Sequence, residues 1–294
     1  MNELKGIICI DKPSGFTSFD VVAKLRGILK TRKLGHSGTL DPAATGVLPV
    51  FAGGATKAIS LLPDSDKTYI AGFRLGITTD TQDITGSITA EHPVPHLTVE
   101  ELEAALADFR GDILQLPPMY SAVQVNGRRL YDLARQGIEV EREKRPVTIR
   151  RLELISFDGK EGTLSVECSK GTYIRTLIND IGDILGSGGV MTSLRRTTAC
   201  GFTLDDCFTF EQLETMNGSF DAAFRPVESV FSHLPALYLS EEKTKAYKNG
   251  VKLDMSRLDA DRSLHDFRVY GGGEFLGVAH ADYEKNELRV TRNF

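Results

Sequence analysis

The chain has no tryptophan, and its four cysteines, Cys9, Cys168, Cys200 and Cys207, form no C-x-x-C pair. Four thiols so spaced are too few to staple 294 residues, so they read as reduced thiols of a cytoplasmic protein. Long apolar runs are missing too. The start, MNELKGIICIDKPSG, holds an unbroken apolar row only from Ile7 to Ile10. A bilayer span needs roughly 18 such residues, so the reading is a soluble, unexported protein. Metal chemistry finds no support: His92 and His96 have helical ligand spacing, but Pro93 and Pro95 between them put both in a loop. A phosphate-binding loop is absent as well, because GGATKAIS has no glycine directly before Lys57. Repeats and low-complexity tracts are not found.

What is present suffices for a large core: 41% of residues are apolar and 26% charged. The length fits one sizeable domain and a small one. The net charge of −5 argues against a nucleic-acid partner until it is divided along the chain. Residues 1–204 carry 24 basic and 24 acidic residues, whereas residues 205–294 carry 11 and 16, so the whole excess is C-terminal. Lys24, Arg26, Lys30, Arg32 and Lys33 follow one another with no acid among them. Such bunching gives either a solvated helix face or a surface for phosphates.

Periodicity outlines an α+β chain. KGIICID reads as a buried strand, and the next segment as a helix with Val21, Val22, Leu25, Ile28 and Leu29 on one stripe, capped by Thr17 or Ser18. ATKAISLLPDSD suggests a short helix. KTYIAGFRLG alternates so that Tyr69, Ala71, Phe73 and Leu75 share a strand face. LTVEELEAALADFRG is a helix with Thr98 and Glu101 in capping-box spacing. MYSAVQVNGRRLYDLARQG gives a strand, an Asn-Gly turn and a basic helix carrying Arg128, Arg129 and Arg135, inside a candidate movable arm at 117–145. Two strands around a glycine turn then lead into TYIRTLINDIGDILG, which puts Tyr173 and Arg175 where strand passes into helix. VMTSLRRTTACGFTL is a strand pair. From residue 234 short strands dominate, with one helix around SEEKTKAYKNG, which places a small β-rich module at 234–294 after a domain at 1–233.

One stretch, GHSGTLDPAATGVLP at 35–49, holds the only acid between Val21 and Pro63, Asp41, among six Lys or Arg residues. Asp followed by Pro is a common helix start, so spacing alone favours Asp41 as an N-cap with Pro42 at the first helical position. Gly35, Gly38 and Gly46 permit close approach of another chain, nearby cations favour the ionised carboxylate, and His36 offers a flat ring for stacking. A glycosidase pair finds no acid nearer in sequence than Asp20 and Asp64.

The motifs DKPSGFTS, KLGHSGTLDPAATGVL, KTYIAGFRLG, PPMYSAVQVNGRRLYDLAR and CSKGTYIRTLINDIG, in this order from residue 4 to about 204, resemble the TruB family of tRNA pseudouridine synthases. The resemblance implies a pseudouridine synthase fold, a mixed, mainly antiparallel sheet flanked by helices, followed by a PUA-like RNA-binding module. It implies conversion of uridine 55 in the tRNA T loop to pseudouridine without a cofactor. By motif, the catalytic aspartate falls on Asp41 and the stacking histidine on His36. The pocket tyrosine falls on Tyr69, a second tyrosine and an arginine on Tyr173 and Arg175, and the leucine lining the uracil pocket on Leu194. Lys12 falls in the KP motif, with a structural or a catalytic role. Arg175 is expected to pair with Asp41, and Lys24, Arg26, Arg128 and Arg129 to meet RNA phosphates. Two alternatives remain open: a noncatalytic tRNA-folding chaperone on the same surface, and an N-glycosidase that releases uracil.

Overall fold

The computed structural model describes residues 4–63 and 66–294. Strand β1 (Gly6–Lys12) is apolar from Ile7 to Ile10 because both its faces are covered there. Ile8 and Ile10 point into one cluster, Ile7 and Cys9 into another. Thr17 caps α1 (Ser18–Leu29) in a reciprocal box with Asp20, and Val21, Val22, Leu25 and Leu29 are buried in the cluster that holds Ile8 and Ile10 of β1. Next come β2 (Leu34–His36) and β3 (Thr45–Ala52), which runs antiparallel to both β1 and β2. The predicted short helix after them is a 3-10 helix, Gly53–Leu61; its expected last turn at Asp64 and Ser65 lies outside the described residues.

Strand β4 (Lys67–Leu75) alternates as predicted, with Tyr69, Ala71, Phe73 and Leu75 in one core cluster. A ribbon of β5 (Ile77–Thr79) and β6 (Ile88–Glu91) follows. His92 and His96 then lie in coil, before α2 (Val99–Ala107) with its Thr98–Glu101 capping box and β7 (Gly111–Gln115). The arm departs from expectation. Arg128 and Arg129 are not on a helix: they form β9 (Arg128–Arg129), paired with β8 (Gln124–Val125). Asn126 and Gly127 between them have φ of 51° and 77°, the left-handed pair that a two-residue hairpin demands, so the turn claims the residues on either side as strand. Helix α3 (Leu130–Ala134) is correspondingly short, with Arg135 at its end. Arg142 Nη1 donates to Pro117 O at 3.0 Å, closing the base of the arm.

β10 (Arg145–Phe157) and β11 (Glu161–Cys168) form a long hairpin, and α4 (Ile174–Ile184) buries Ile174, Leu177, Ile178 and Ile181. Ile184, whose helical spacing from Leu177 would put it on the same stripe, is instead exposed at the helix end. β12 (Gly189–Ala199) turns at Cys200-Gly201 into β13 (Phe202–Thr203); β14 (Cys207–Phe208) and α5 (Phe210–Thr215) follow. The main sheet runs β14-β1-β3-β12-β4-β11-β10-β7, with β2 on β3 and β13 on β12. Within this sheet, among the described residues, the β1–β14 and β3–β12 pairs are parallel and the rest antiparallel. Helices α2 and α4 cover the β4 side, α1 and α5 the β1 side. This seats α4's first turn beside the turn that precedes β3, where the site forms.

The C-terminal region is a second sheet of five strands, β15 (Ala236–Leu239), β16 (Leu253–Asp254), β17 (Asp266–Gly271), β18 (Glu274–Asp282) and β19 (Glu287–Asn293), in the order β15-β17-β18-β19-β16. Helix α6 (Glu241–Lys248) packs on it through Tyr247. Phe275, Val278 and Phe294 join Phe231 in a shared cluster, which docks this sheet on the main body.

Candidate active site

Asp41 sits in a tight turn, not at a helix N-terminus. Ala44 N–H donates to Asp41 O at 3.1 Å, with Pro42 second in the turn, and β3 starts at Thr45. Pairing of Gly46–Ala52 with the whole of β1 claims these residues as strand, which leaves Asp-Pro room for a turn only. The KP motif braces that turn. Lys12, fully buried, donates Nζ to Pro13 O (3.0 Å), Phe16 O (2.5 Å) and Pro42 O (3.1 Å), and Gly15 N–H donates to Pro42 O (2.9 Å). Burial pushes Lys12 down to about 8, with Asp41 pulling the other way. Leu40 is latched from α1: its N–H donates to Ser18 Oγ at 3.0 Å.

The cation that meets Asp41 comes from α4. Arg175 Nη2 lies 3.4 Å from Asp41 Oδ2; the arginine side chain is 7% exposed, the aspartate 40%. The same nitrogen donates to Tyr120 O at 2.6 Å, and Nη1 lies 3.9 Å from Asp83 Oδ2. One guanidinium thus bridges two carboxylates and the root of the arm. Arg175 Nε is buried with no acceptor among the described residues, an unfavourable state for stability alone. Asp83 was missed by sequence reading. It sits in the loop between β5 and β6, where its Oδ1 accepts from Thr85 N–H (2.9 Å), Thr81 Oγ1 (2.9 Å) and Thr85 Oγ1 (2.5 Å). That loop is pinned to α4 by Thr176 Oγ1 donating to Gln82 Oε1 at 2.7 Å. The threonine-rich TTDTQDITG was the available signal.

Tyr173 is the N-cap residue of α4, and Gln115 at the end of β7 holds its backbone by two bonds, Nε2 to Tyr173 O at 3.0 Å and Tyr173 N–H to Oε1 at 2.7 Å. Its ring centre is 6.0 Å from the Arg175 guanidinium carbon. Tyr69 on β4 and Leu194 on β12 belong with Leu40 and Ala44 to one apolar cluster beside the turn. Burial raises Tyr69 to about 12, so its phenol stays neutral. Arg196, registered opposite Tyr69, is another residue that sequence reading passed over. Completely buried, it donates Nη2 to Gly38 O (3.0 Å) and Nε to Val47 O (2.8 Å), tying both ends of the aspartate loop. Gly46 has φ of 102°, and a Cβ there would fall 2.1 Å from Arg196 O, so the parallel contact of β3 with β12 requires glycine.

His36 stands on β2, its ring 5.5 Å from Phe19 at 90°. Burial lowers its pKa, helped by Arg196, so the imidazole is neutral at pH 7. Among the expected phosphate contacts, Arg26 is exposed on α1, whereas Lys24 is drawn aside to Glu214 (3.6 Å) and the Phe210 ring (4.3 Å). Arg128 and Arg129 project from the arm hairpin, donating to Gln136 Oε1 (3.0 Å) and Tyr131 OH (2.7 Å).

The family model for the TruB family pseudouridylate synthase N-terminal domain matches residues 26–174, and that for the tRNA pseudouridylate synthase B C-terminal domain matches residues 175–232. The chain is 46% identical to tRNA pseudouridine synthase B of Azoarcus sp. (strain BH72), across 98% of this chain and 94% of the relative. To the protein of the same name from Stutzerimonas stutzeri (strain A1501) it is 49% identical, across 84% and 83%. The chain belongs to the TruB family of pseudouridylate synthases. Among solved structures, a chain of a Cbf5-Nop10-Gar1 complex superposes with a TM-score of 0.75 at 26% identity, covering 98% of this chain and 84% of that one. The pseudouridine synthase fold expected from the motifs is therefore the fold observed.

As a TruB-family member the chain is an isomerase acting on uridine. The reaction breaks the bond from uracil N1 to ribose C1′ and joins C1′ to C5, so every atom but one exchanged proton stays with the substrate. Asp41 stands beside the apolar cluster that holds Tyr69 and Leu194.

Proposed function

We propose that the chain isomerises uridine 55 of the tRNA T loop, with Asp41 as the catalytic carboxylate. The observation that carries this reading is the contact of Asp41 with Arg175 at 3.4 Å beside the Tyr69–Leu194 wall. A uridine inside a folded loop is stacked, so it must be flipped out at a cost of a few kcal/mol. His36 takes the vacated place, neutral and flat, while the extruded base stacks on Tyr69 with Leu194 closing the slot. Asp41, oriented by Arg175, assists as the glycosidic bond opens, by attack on C1′, by stabilising a cationic ribose, by taking the C2′ proton or by addition to uracil C6; the base then turns and C5 bonds to C1′. Tyr173, beside Arg175, assists removal of the C5 proton. Lys12 holds the turn rather than touching substrate, since all its donors point to carbonyls.

Residues 1–233 form the catalytic domain in this reading, and the five-stranded sheet from 234 onward a PUA-like module that contacts tRNA despite its acidic balance. Arg128 and Arg129 on the arm, with Arg26, engage phosphates, and the same surface supports a secondary tRNA-folding role in the cytoplasm. The test is release of tritium from C5-labelled uridine in a T-arm transcript, with chromatography for pseudouridine. Free uracil in its place would mean glycosidase chemistry; binding and refolding without either product would mean a chaperone.

A further inference from the structure

Phe19 is 71% exposed, although it is a large apolar residue on a helix that buries Val21, Val22, Leu25 and Leu29. A single exposed phenylalanine is ordinary on a protein surface. Three relationships set this one apart. Its ring stands edge-on to His36, with centres 5.5 Å apart and planes at 90°, so the two rings form a corner. Its neighbour Ser18 is the residue that latches Leu40, which fixes the ring's helix turn to the aspartate loop. Finally, Phe19 begins an exposed stripe: Ala23 and Arg26, spaced i+4 and i+7, are exposed on the same side of α1, and exposed Lys30 follows as the left-handed residue that caps the helix. Arg26 is about 10 Å along the axis from Phe19. The acid on this turn, Asp20, is spent on the Thr17 cap.

An aromatic face at one end of a cationic stripe is complementary to a polyanion that offers flat bases at one point and phosphates beyond it. We propose that Phe19 is a stacking platform for an unpaired nucleobase of the substrate RNA, the one flanking the target uridine, while Arg26 and Lys30 track the backbone leading from it. The inference rests on the proposed reaction, because it assigns His36 to the position vacated by the flipped uridine; Phe19, packed against that ring, is then placed for the adjacent base. Phe19 is a positioning residue in this scheme. It touches no reacting atom and contributes to docking.

The test uses the full chain and a T-arm stem-loop, comparing wild type with Phe19→Ser and Phe19→Tyr. Phe19→Ser is expected to bind about five- to 150-fold more weakly, the range of one base–aromatic stack. Its turnover at saturating RNA should stay within about twofold, and its salt dependence should be unchanged because no charge is removed. Phe19→Tyr should restore binding. Replacing the flanking nucleotide with an abasic site should weaken wild type by a similar factor and Phe19→Ser hardly further, the signature of one shared contact. Unchanged binding by Phe19→Ser, additive losses in the cycle, or lost turnover with intact binding would each overturn the proposal; in the last case the ring only supports His36. Wild-type pseudouridine formation, run alongside, tests the underlying reaction separately, since its failure leaves the Phe19 binding comparison readable.

Discussion

Asp41 Oδ2 and Arg175 Nη2 face each other at 3.4 Å, the carboxylate from a turn before β3 and the guanidinium from the first turn of α4. The separation is longer than a tight hydrogen bond, while the same nitrogen makes a 2.6 Å bond to Tyr120 O. Arg175 is therefore anchored to the arm and to the Asp83 loop, and Asp41 lies against it with its carboxylate still partly open to solvent. In the proposed reaction, a site built in this way presents an oriented carboxylate to the substrate without neutralising it through a closed bidentate pair.

Asp83 acts through Arg175. Changing Asp83→Asn keeps the shape of the loop but removes the charge that holds Nη1. Turnover should fall by roughly a hundredfold, as for a misplaced catalytic group, with RNA affinity within about twofold of wild type. Single-turnover kinetics with a parallel binding titration checks this; equal losses of affinity and rate would make Asp83 a docking residue.

Lys12 gives a pH dependence with opposite signs for stability and activity. In the unfolded chain its amine holds a proton to its ordinary 10.5, in the folded chain only to about 8. Between these values the unfolded state binds more protons, so this group makes folding more favourable as pH rises through that window. Turnover should decline there instead, because a neutral amine has two N–H donors for the three carbonyls of Pro13, Phe16 and Pro42. A pH profile of kcat should fall near 8 in wild type, and that limb should vanish in Lys12→Met, at a lower plateau.

Burial keeps the Tyr69 phenol protonated, which fits the stacking role proposed for it. Tyr69→Leu should reduce kcat more than binding, and Tyr69→Phe should keep the wild-type pH profile. Matched losses of kcat and affinity in Tyr69→Leu would assign the ring to docking.

The cationic surface should show itself in salt. Replacing Arg26, Arg128 or Arg129 with Gln should weaken T-arm binding and lower the slope of log affinity against log salt by about one each. The same change at Lys24, occupied by Glu214 and Phe210, should have a smaller effect.

Periodicity exposed those parts of the fold whose neighbours repeat regularly: β1, the stripe of α1, the alternating face of β4 and the buried row of α4 are where the sequence puts them. Asp41 was misplaced at the level of local structure, because Asp-Pro begins helices and turns alike and only the long pairing of β3 with β1 selects the turn. Arg128 and Arg129 moved from helix to hairpin for a similar reason, the Asn-Gly turn outranking the helical pattern beside it. Asp83, Gln115 and Arg196 gave little local signal. Each acts on a residue remote in sequence, Arg175, Tyr173 and the Gly38–Val47 loop, and such contacts exist only once the sheet is assembled.

The central claim, that Asp41 carries out the isomerisation, is tested most directly by tritium release from C5-labelled uridine in a T-arm transcript, with wild type and Asp41→Asn side by side. Wild type should release tritium in step with pseudouridine, and Asp41→Asn should bind the transcript comparably yet release none above background. Release by Asp41→Asn at the wild-type rate would contradict the account.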